Sequence, residues 1–307
     1  MKYITTKEAS KKWGISERRV RTLCKEGRIE GVKKTGGIWS IPYNSSKPID
    51  ARKSNNKKEY LGLDFDFTKI DLLKETIDQC RPFSKETAKS LREKLIVEWT
   101  YNSNAIEGNT LTMSETKVVL EGVTIGGKTL VEHFEVINHR DAIEFVENLI
   151  KNEEHLTEIN IRNIHSLILK EIDDKNAGKY RNVNVVISGA NHIPPKHYEL
   201  NALMQKLIYE YNNEWGKYHP IIKATLLHGE FVKIHPFIDG NGRTARLLLN
   251  FELMENGYPP IIIKSKNKAK YYEALDHAHT TMDYKPFIKL VSNLVKESCD
   301  LWISVLI

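Results

Sequence analysis

Residues 235–246 read HPFIDGNGRTAR, and no other stretch limits the fold as tightly. A helical pattern, ATLLHGEFVKI, runs into it over residues 224–234. A second, RTARLLLNFELMENG, leaves it at Arg243 and stops at Gly257, ahead of Pro259 and Pro260. Between the two helices, Asp239-Gly240-Asn241-Gly242 breaks the pattern. A glycine on each side of Asn241 lets successive backbone N–H groups turn toward one point. Such a nest at a helix N-terminus holds anions, phosphate above all. Arg243 and Arg246, three apart, share a helical face and can aim further donors at the same anion. Asp239 is a hard oxygen ligand suited to Mg²⁺ bridging a polyphosphate. His235 can take a proton from an incoming hydroxyl near neutral pH. These parts fit phosphoryl or nucleotidyl transfer from a nucleotide.

The rest of the chain suits a mainly α protein. From about residue 67 helical patterns follow one another, with apolar residues three and four apart over 84–106, 128–150, 200–216 and 219–234. One segment departs from this. RNVNVVISGANHIPP, residues 181–195, alternates β-branched residues around a glycine and stops at Pro-Pro, which predicts a short hairpin. Length bounds the chain at two domains. No apolar run approaches the roughly 20 residues of a membrane span, and the start carries no signal-peptide pattern. Cys24, Cys80 and Cys299 lie far apart, without disulfide-like or metal-like spacing, as expected of thiols in a reducing cytoplasm.

Charge is segregated. Residues 1–60 hold 16 Lys/Arg against 6 Asp/Glu, whereas the remainder holds 30 against 34. A basic head on a mildly acidic body points to a polyanion met by the head alone. In the head, Thr5 and Glu8 have capping-box spacing, and Gly14 can end the short helix they start. Ser16 then caps a second helix, with Ile15 and Val20 at staple spacing. Val20, Leu23 and Cys24 form its inward stripe, leaving Arg18, Arg19, Arg21, Thr22 and Lys25 outward. Gly27 stops it, and apolar alternation around Gly36-Gly37 up to Pro42 predicts a hairpin. Residues 3–43 resemble the winged helix-turn-helix modules of the excisionase and MerR type. That resemblance implies DNA contacts through Arg18, Arg19, Arg21 and Lys25. A solvated face used for protein contacts is the other reading. Domains are expected at 1–45, at 46–66 as an Asn/Ser/Lys-rich linker, and at 67–307.

HPFIDGNGRTAR matches every defined position of the Fic-family motif HxFx(D/E)GNGRxxR, and residues 85–295 resemble Fic proteins. The resemblance implies an all-helical core, a β-hairpin flap over the site, and transfer of AMP from ATP to a Ser, Thr or Tyr hydroxyl of a target protein. It makes His235 the base and Asp239 the Mg²⁺ ligand. It assigns the phosphates to Gly240, Asn241 and Gly242, with Thr244 and Ala245 in the same ATP-binding run. Arg243 and Arg246 would take the β/γ end, and Phe237 would anchor the motif in the core. Gly189, Ala190, Asn191 and His192 would form the flap, and Tyr271 and Tyr272 would line the adenine pocket. Some relatives have Asn where this chain has His279. Against a rival grouping of His228, Glu230, His235 and Asp239 as a hydrolase metal cluster, no second ligand set follows, and the Gly-Asn-Gly turn breaks the helix at Asp239.

Upstream, SNAIEGN at 103–109 sets Ser103 and Glu107 four apart on one face, with Gly108-Asn109 as the helix end. It is similar to the inhibitory motif (S/T)xxxE(G/N) of Fic proteins. That implies a Glu107–Arg246 pair occupying the guanidinium the γ-phosphate needs. The expected partners are a target protein, DNA through the head, and no membrane, with a homodimer left open. Three functions remain open: a self-inhibited AMP transferase, a DNA-bound regulator sensing ATP, and an enzyme that uses Glu107 to remove AMP.

Overall fold

The structure, a computed structural model, describes residues 2–25, 27–29, 31–47 and 60–307. The chain opens with β1 (Tyr3–Thr5), α1 (Thr6–Trp13), α2 (Glu17–Lys25), β2 (Lys33–Thr35) and β3 (Ile38–Pro42). Thr5 and Glu8 close the expected capping box, and Gly14 ends α1 at φ 62°. Ser16 Oγ accepts from the Arg19 amide at the start of α2. The strands form an antiparallel sheet in the order β1-β3-β2. Gly36 and Gly37, both at positive φ, join β2 to β3 with Thr35 opposite Ile38, as a two-residue hairpin turn requires. β1, too short for alternation to reveal, pairs Tyr3 with Pro42. Ile4, Ala9, Trp13, Val20, Leu23, Cys24, Ile29 and Ile41 make a hydrophobic core that shares no residue with the body's.

The expected linker is shorter than 46–66. Residues 48–59 lie outside the described residues, but from Tyr60 onward the chain is packed on the body. The Leu61 amide donates to Met282 O at 2.9 Å, the Tyr284 amide donates to Leu61 O at 3.1 Å, and the Tyr60 ring sits edge-on to Trp215 and Tyr284. The alternating apolar residues Leu61, Leu63, Phe65 and Phe67 hide in a polar context, which is why composition reads as linker.

The body is helical: α3 (Thr68–Gln79), α4 (Lys85–Glu107), α5 (Met113–Leu120), α6 (Leu130–Lys151), α7 (Glu158–Leu169), α8 (Leu200–Asn213), α9 (Pro220–Ile234), α10 (Asn241–Glu255), α11 (Lys268–Thr281) and α12 (Lys285–Leu306). Helix starts follow side-chain caps: Ser84 for α4, capping boxes Thr112/Glu115 and Thr129/Glu132 for α5 and α6, and Thr157 for α7. The paired helices α9 and α10 form the centre. Residues 224–231 and 243–253 are buried on every face, as a helix enclosed by others must be. Close packing there uses Gly229, where a Cβ would lie 2.6 Å from the Tyr284 ring. Among the described residues no helix is long and apolar enough to cross a membrane.

The segment 181–195 differs from expectation. It carries no β-ladder, only bends and irregular backbone around a turn in which the Ala190 amide donates to Ile187 O. Val183, Val186 and Ile193 are exposed, so the alternation buries nothing that could hold a hairpin. Side chains hold this loop instead.

Candidate active site

The α9–α10 turn is built by three residues. His235 ends α9 in the left-handed region, at φ 50° and ψ 59°, a conformation that a non-glycine residue keeps only under constraint from its surroundings. Asn241 spends its whole side chain on Phe237, Oδ1 accepting from the amide at 3.0 Å and Nδ2 donating to the carbonyl at 2.9 Å. With its side chain committed in this way, Asn241 can offer an anion only its backbone N–H, the group the nest reading relies on. His165 of α7 stacks on Phe237 at 3.5 Å, accepts from the Gly178 amide and donates to Asp239 O at 2.9 Å. Both ring nitrogens are thus assigned, and burial pushes the imidazole down to about 4. A Cβ on Gly240 (φ 74°) would lie 3.1 Å from that ring, so glycine is required there.

At the start of α10, Gly240 supplies no side-chain cap. The first intrahelical bond runs from the Thr244 amide to Gly240 O, which leaves the amides of residues 241–243 pointing out of the helix end. A carboxylate already lies there. Glu107, the last residue of α4, brings Oε1 to within 2.3 Å of where a Gly242 Cβ would stand, and accepts from Arg246 Nη2 at 2.8 Å. Arg246 is 4% exposed, and it donates through Nε to Ser103 Oγ at 3.0 Å and through Nη2 to Ser103 O at 2.8 Å. The helical spacing of Ser103 and Glu107 becomes a two-point clamp on one guanidinium.

Arg243 does not share that role. It is 2% exposed, gives Nη1 to Glu135 of α6 at 2.7 Å and Nη2 to Asp239 at 3.1 Å. Each motif arginine thus has its own carboxylate. Glu135 is 108 residues from Arg243 and has no sequence signal. Thr244 and Ala245 turn their side chains into the core and do not reach the cavity.

A cavity of about 430 Å³ opens beside this helix start, lined by Glu107, His235 and Gly242 on one side and Gly189, Ala190, Tyr271 and Tyr272 on the other. Its size suits a nucleotide-sized ligand. Tyr271 is buried with its hydroxyl 2.9 Å from His228 Nε2, while the Tyr272 ring is part-exposed. Asn191 and His192 turn away from the cavity: the Asn191 amide and Nδ2 and the His192 amide donate to Asp276 of α11, and His192 Nε2 donates to Lys233 O. His279 lines the cavity and donates to Gly229 O at 2.9 Å. The rival metal cluster is not assembled, since His228 is committed to Tyr271 and Glu230 accepts from Tyr284. Burial first, then nearby Arg181, pushes the His235 imidazole down to about 4, so it is neutral at pH 7.

Sequence reasoning misses Arg181, Glu135, His165 and Asp276. The first three act on the motif and Asp276 on the 183–195 loop, each from a distant part of the chain, and a single sequence does not reveal such pairings.

Comparison with known proteins gives a consistent picture. Residues 155–253 match the Fic/DOC family. A Fic domain containing signaling protein from Bacteroides thetaiotaomicron superposes with a TM-score of 0.72 at 33% identity, covering 78% of this chain and 97% of that one. Fic-1 from C. elegans gives 0.68 at 30% identity, covering 76% and 71%. The protein adenylyltransferase Fic of Nematostella vectensis is 34% identical over 273 residues, 85% of this chain and 62% of its own length. The one from Drosophila virilis is 31% identical over 262 residues, 85% and 52%. The chain thus spans between half and two thirds of these curated relatives.

Proposed function

The chain belongs to the Fic/DOC family, and we propose that it transfers AMP from ATP to a side-chain hydroxyl of a target protein and restrains itself through Glu107. One observation carries this reading: the Glu107 carboxylate sits on Arg246 and against Gly242, at an uncapped helix start sharing a cavity with His235. That is where an anion would bind, and a carboxylate held there competes with a terminal phosphate for the same guanidinium.

In the reaction, His235 accepts the proton of the target hydroxyl, which its neutral imidazole is able to do at physiological pH. The hydroxyl oxygen bonds to the α-phosphorus as the α–β phosphoanhydride bond breaks and pyrophosphate leaves. The amides at the start of α10 receive phosphate oxygens without reorganising. Asp239, with its side chain 63% exposed and engaged, among the described residues, by the Gly240 amide and Arg243, suits Mg²⁺. That ion takes one or two carboxylates together with phosphate oxygens and water. Among the described residues no group of three His, Cys, Asp or Glu forms an all-protein cage, which fits a metal arriving with the nucleotide. When bound, it would neutralise charge on the polyphosphate. Tyr271 and Tyr272 are the walls for adenine.

The head is proposed to bind DNA. Arg18, Arg21 and Lys25 are exposed and Arg19 is half-exposed on α2, beside a β2–β3 wing carrying Lys33 and Lys34. A DNA-bound head would place the transferase near its targets.

Replacing Glu107 by Gly tests the central reading. Freed of its carboxylate, Arg246 can take the terminal phosphate, and AMP transfer, including onto the protein itself, rises tenfold or more, about 1.4 kcal/mol per decade. Glu107→Gly combined with Arg246→Ala loses the gain. Mass spectrometry for added AMP reads all three proteins. Equal, low modification in wild type and Glu107→Gly ends the self-inhibition reading. Tight ATP binding without transfer in Glu107→Gly would favour an ATP sensor, and Glu107-dependent loss of AMP from a modified protein would favour removal.

A further inference from the structure

We infer that Arg181 is the positioning residue that fixes His235 and both roots of the 183–195 loop relative to one another. Its guanidinium makes three hydrogen bonds in three directions. Nε donates to His235 O at 2.8 Å, Nη1 to Val183 O at 2.8 Å, and Nη2 to Pro195 O at 2.7 Å. Its own amide donates to Pro236 O at 2.9 Å. One residue therefore brackets the peptide that follows the candidate base and ties it to two points twelve residues apart in sequence.

Two physical facts make this more than packing. First, Arg181 is 3% exposed, and among the described residues no carboxylate pairs with it. A buried cation without a counter-charge is costly, and here only backbone carbonyls offset the cost. The rigid five-donor fork is what allows one side chain to serve three separated carbonyls. Lysine, a point charge on a flexible stem, cannot reproduce that. Second, the groups it holds need bonds from outside themselves, and Arg181 adds to two others there: the His235 amide donates to Phe231 O, and the His197 amide donates to Asn184 Oδ1 across the ends of the loop. His235 sits in the left-handed region, a conformation that persists only where the surroundings impose it. The loop has no ladder between its two arms, so its roots are not spaced by main-chain pairing. Its far part is held separately, by Asp276 on Asn191 and His192.

The charge has a second consequence at His235. The groups that bear on this imidazole are Arg181 from the loop root, the Val232 backbone from α9, Glu107 from α4 and Asp239 from its own turn. Burial and Arg181 disfavour protonation, while the Val232 backbone and the two carboxylates favour it. Arg181 thus holds the base in place and helps keep it unprotonated, without touching substrate.

The catalytic part of this inference rests on the AMP-transfer reading, and the test separates the two. In the Glu107→Gly background, Arg181→Ala is expected to lower kcat for AMP transfer at least tenfold while the Kd for ATP stays within threefold. The acid limb of the pH–rate profile moves to higher pH, and protease cleavage within residues 184–194 accelerates. Arg181→Lys keeps the charge and loses the fork, so kcat falls while the acid limb stays in place; if Arg181→Ala does not fold, this variant decides. Unchanged kcat overturns the inference. So does a kcat loss that merely follows the folded fraction, counted by ATP stoichiometry, with acid limb and cleavage unmoved. If the Glu107→Gly parent transfers no AMP, the transferase reading fails instead. Arg181 is then judged on cleavage rate and on the His235 titration followed by NMR, neither of which needs turnover, and no change in both refutes it.

Discussion

In the head, the cations of α2 stand in solvent: Arg21 pairs with Glu17 on the surface, their side chains 65% and 38% exposed. In the body, Arg181, Arg243 and Arg246 are almost fully enclosed, and each is held by carbonyls, carboxylates or both. An exposed pair contributes little, because water competes and salt screens it. An enclosed guanidinium costs several kcal/mol to desolvate and must be met by fixed partners. The difference teaches where function is written most firmly. Buried charge exists only where the fold has been arranged around it, whereas surface charge is compatible with many roles.

Acid should separate the two regions most strongly. All eleven histidines lie in the body, and none in residues 1–60. Burial pushes His165, His235 and His279 down to about 4 from an ordinary value of 6.5. Between those values the unfolded chain binds protons that the folded body refuses. Their contribution is therefore complete above pH 6.5 and is lost as pH falls toward 4. Each histidine removes up to about 1.4 kcal/mol per pH unit in that window. Urea midpoints by circular dichroism, dominated by the body's helices, should drop steeply from pH 6.5 to 5. A flat profile would mean these imidazoles are not enclosed as described.

His235→Ala should lower AMP transfer about 10²- to 10⁴-fold, the range for losing a positioned base. Binding of ATP should persist, because the substitution removes no phosphate donor. Titration calorimetry beside a labelled-ATP assay, both in the Glu107→Gly background, measures the two. Transfer at the parent rate would remove His235 from the mechanism and leave the buried arginines as a binding site only.

How far the sequence can be read follows the same division. The helix–turn–helix at 235–246, the Ser103–Glu107 spacing and the caps of α1 and α2 are local features, set by residues three or four apart, and these appear as expected. What escapes is set by distant partners. Arg243 is legible as a motif cation, but its pairing with Glu135 of α6 is not. Alternation over 181–195 suggests a hairpin because it reports an extended backbone, whereas pairing requires a second strand and a buried face. Tyr60 to Phe67 resembles a linker because its apolar residues are diluted by Asp and Gly, and their places, Tyr60 against Trp215 and Tyr284 and Phe67 on the His219 ring, are set by distant residues.

The smallest and most conditional effect belongs to the head. Replacing Arg18, Arg19 and Arg21 with Ala removes three cations from one short helix while substituting the best helix former, so α2 should persist. Val20, Leu23 and Cys24, which bury α2 in the head's core, are untouched. If the head binds DNA, affinity at low salt should fall, and the slope of log K against log salt should flatten by about 0.9 for each phosphate that is no longer neutralised. At high salt the variant and its parent should converge, since screening removes the contribution in both. AMP transfer by the Glu107→Gly protein should be unaffected by the triple change, because the body's cations are held by partners within the body. Mobility shift across a salt series, run beside the transfer assay, reads both. No shift with any DNA at low salt would make the head a protein-contact module. A transfer rate that changes with the head substitutions would mean that the exposed and enclosed cations act on the same reaction.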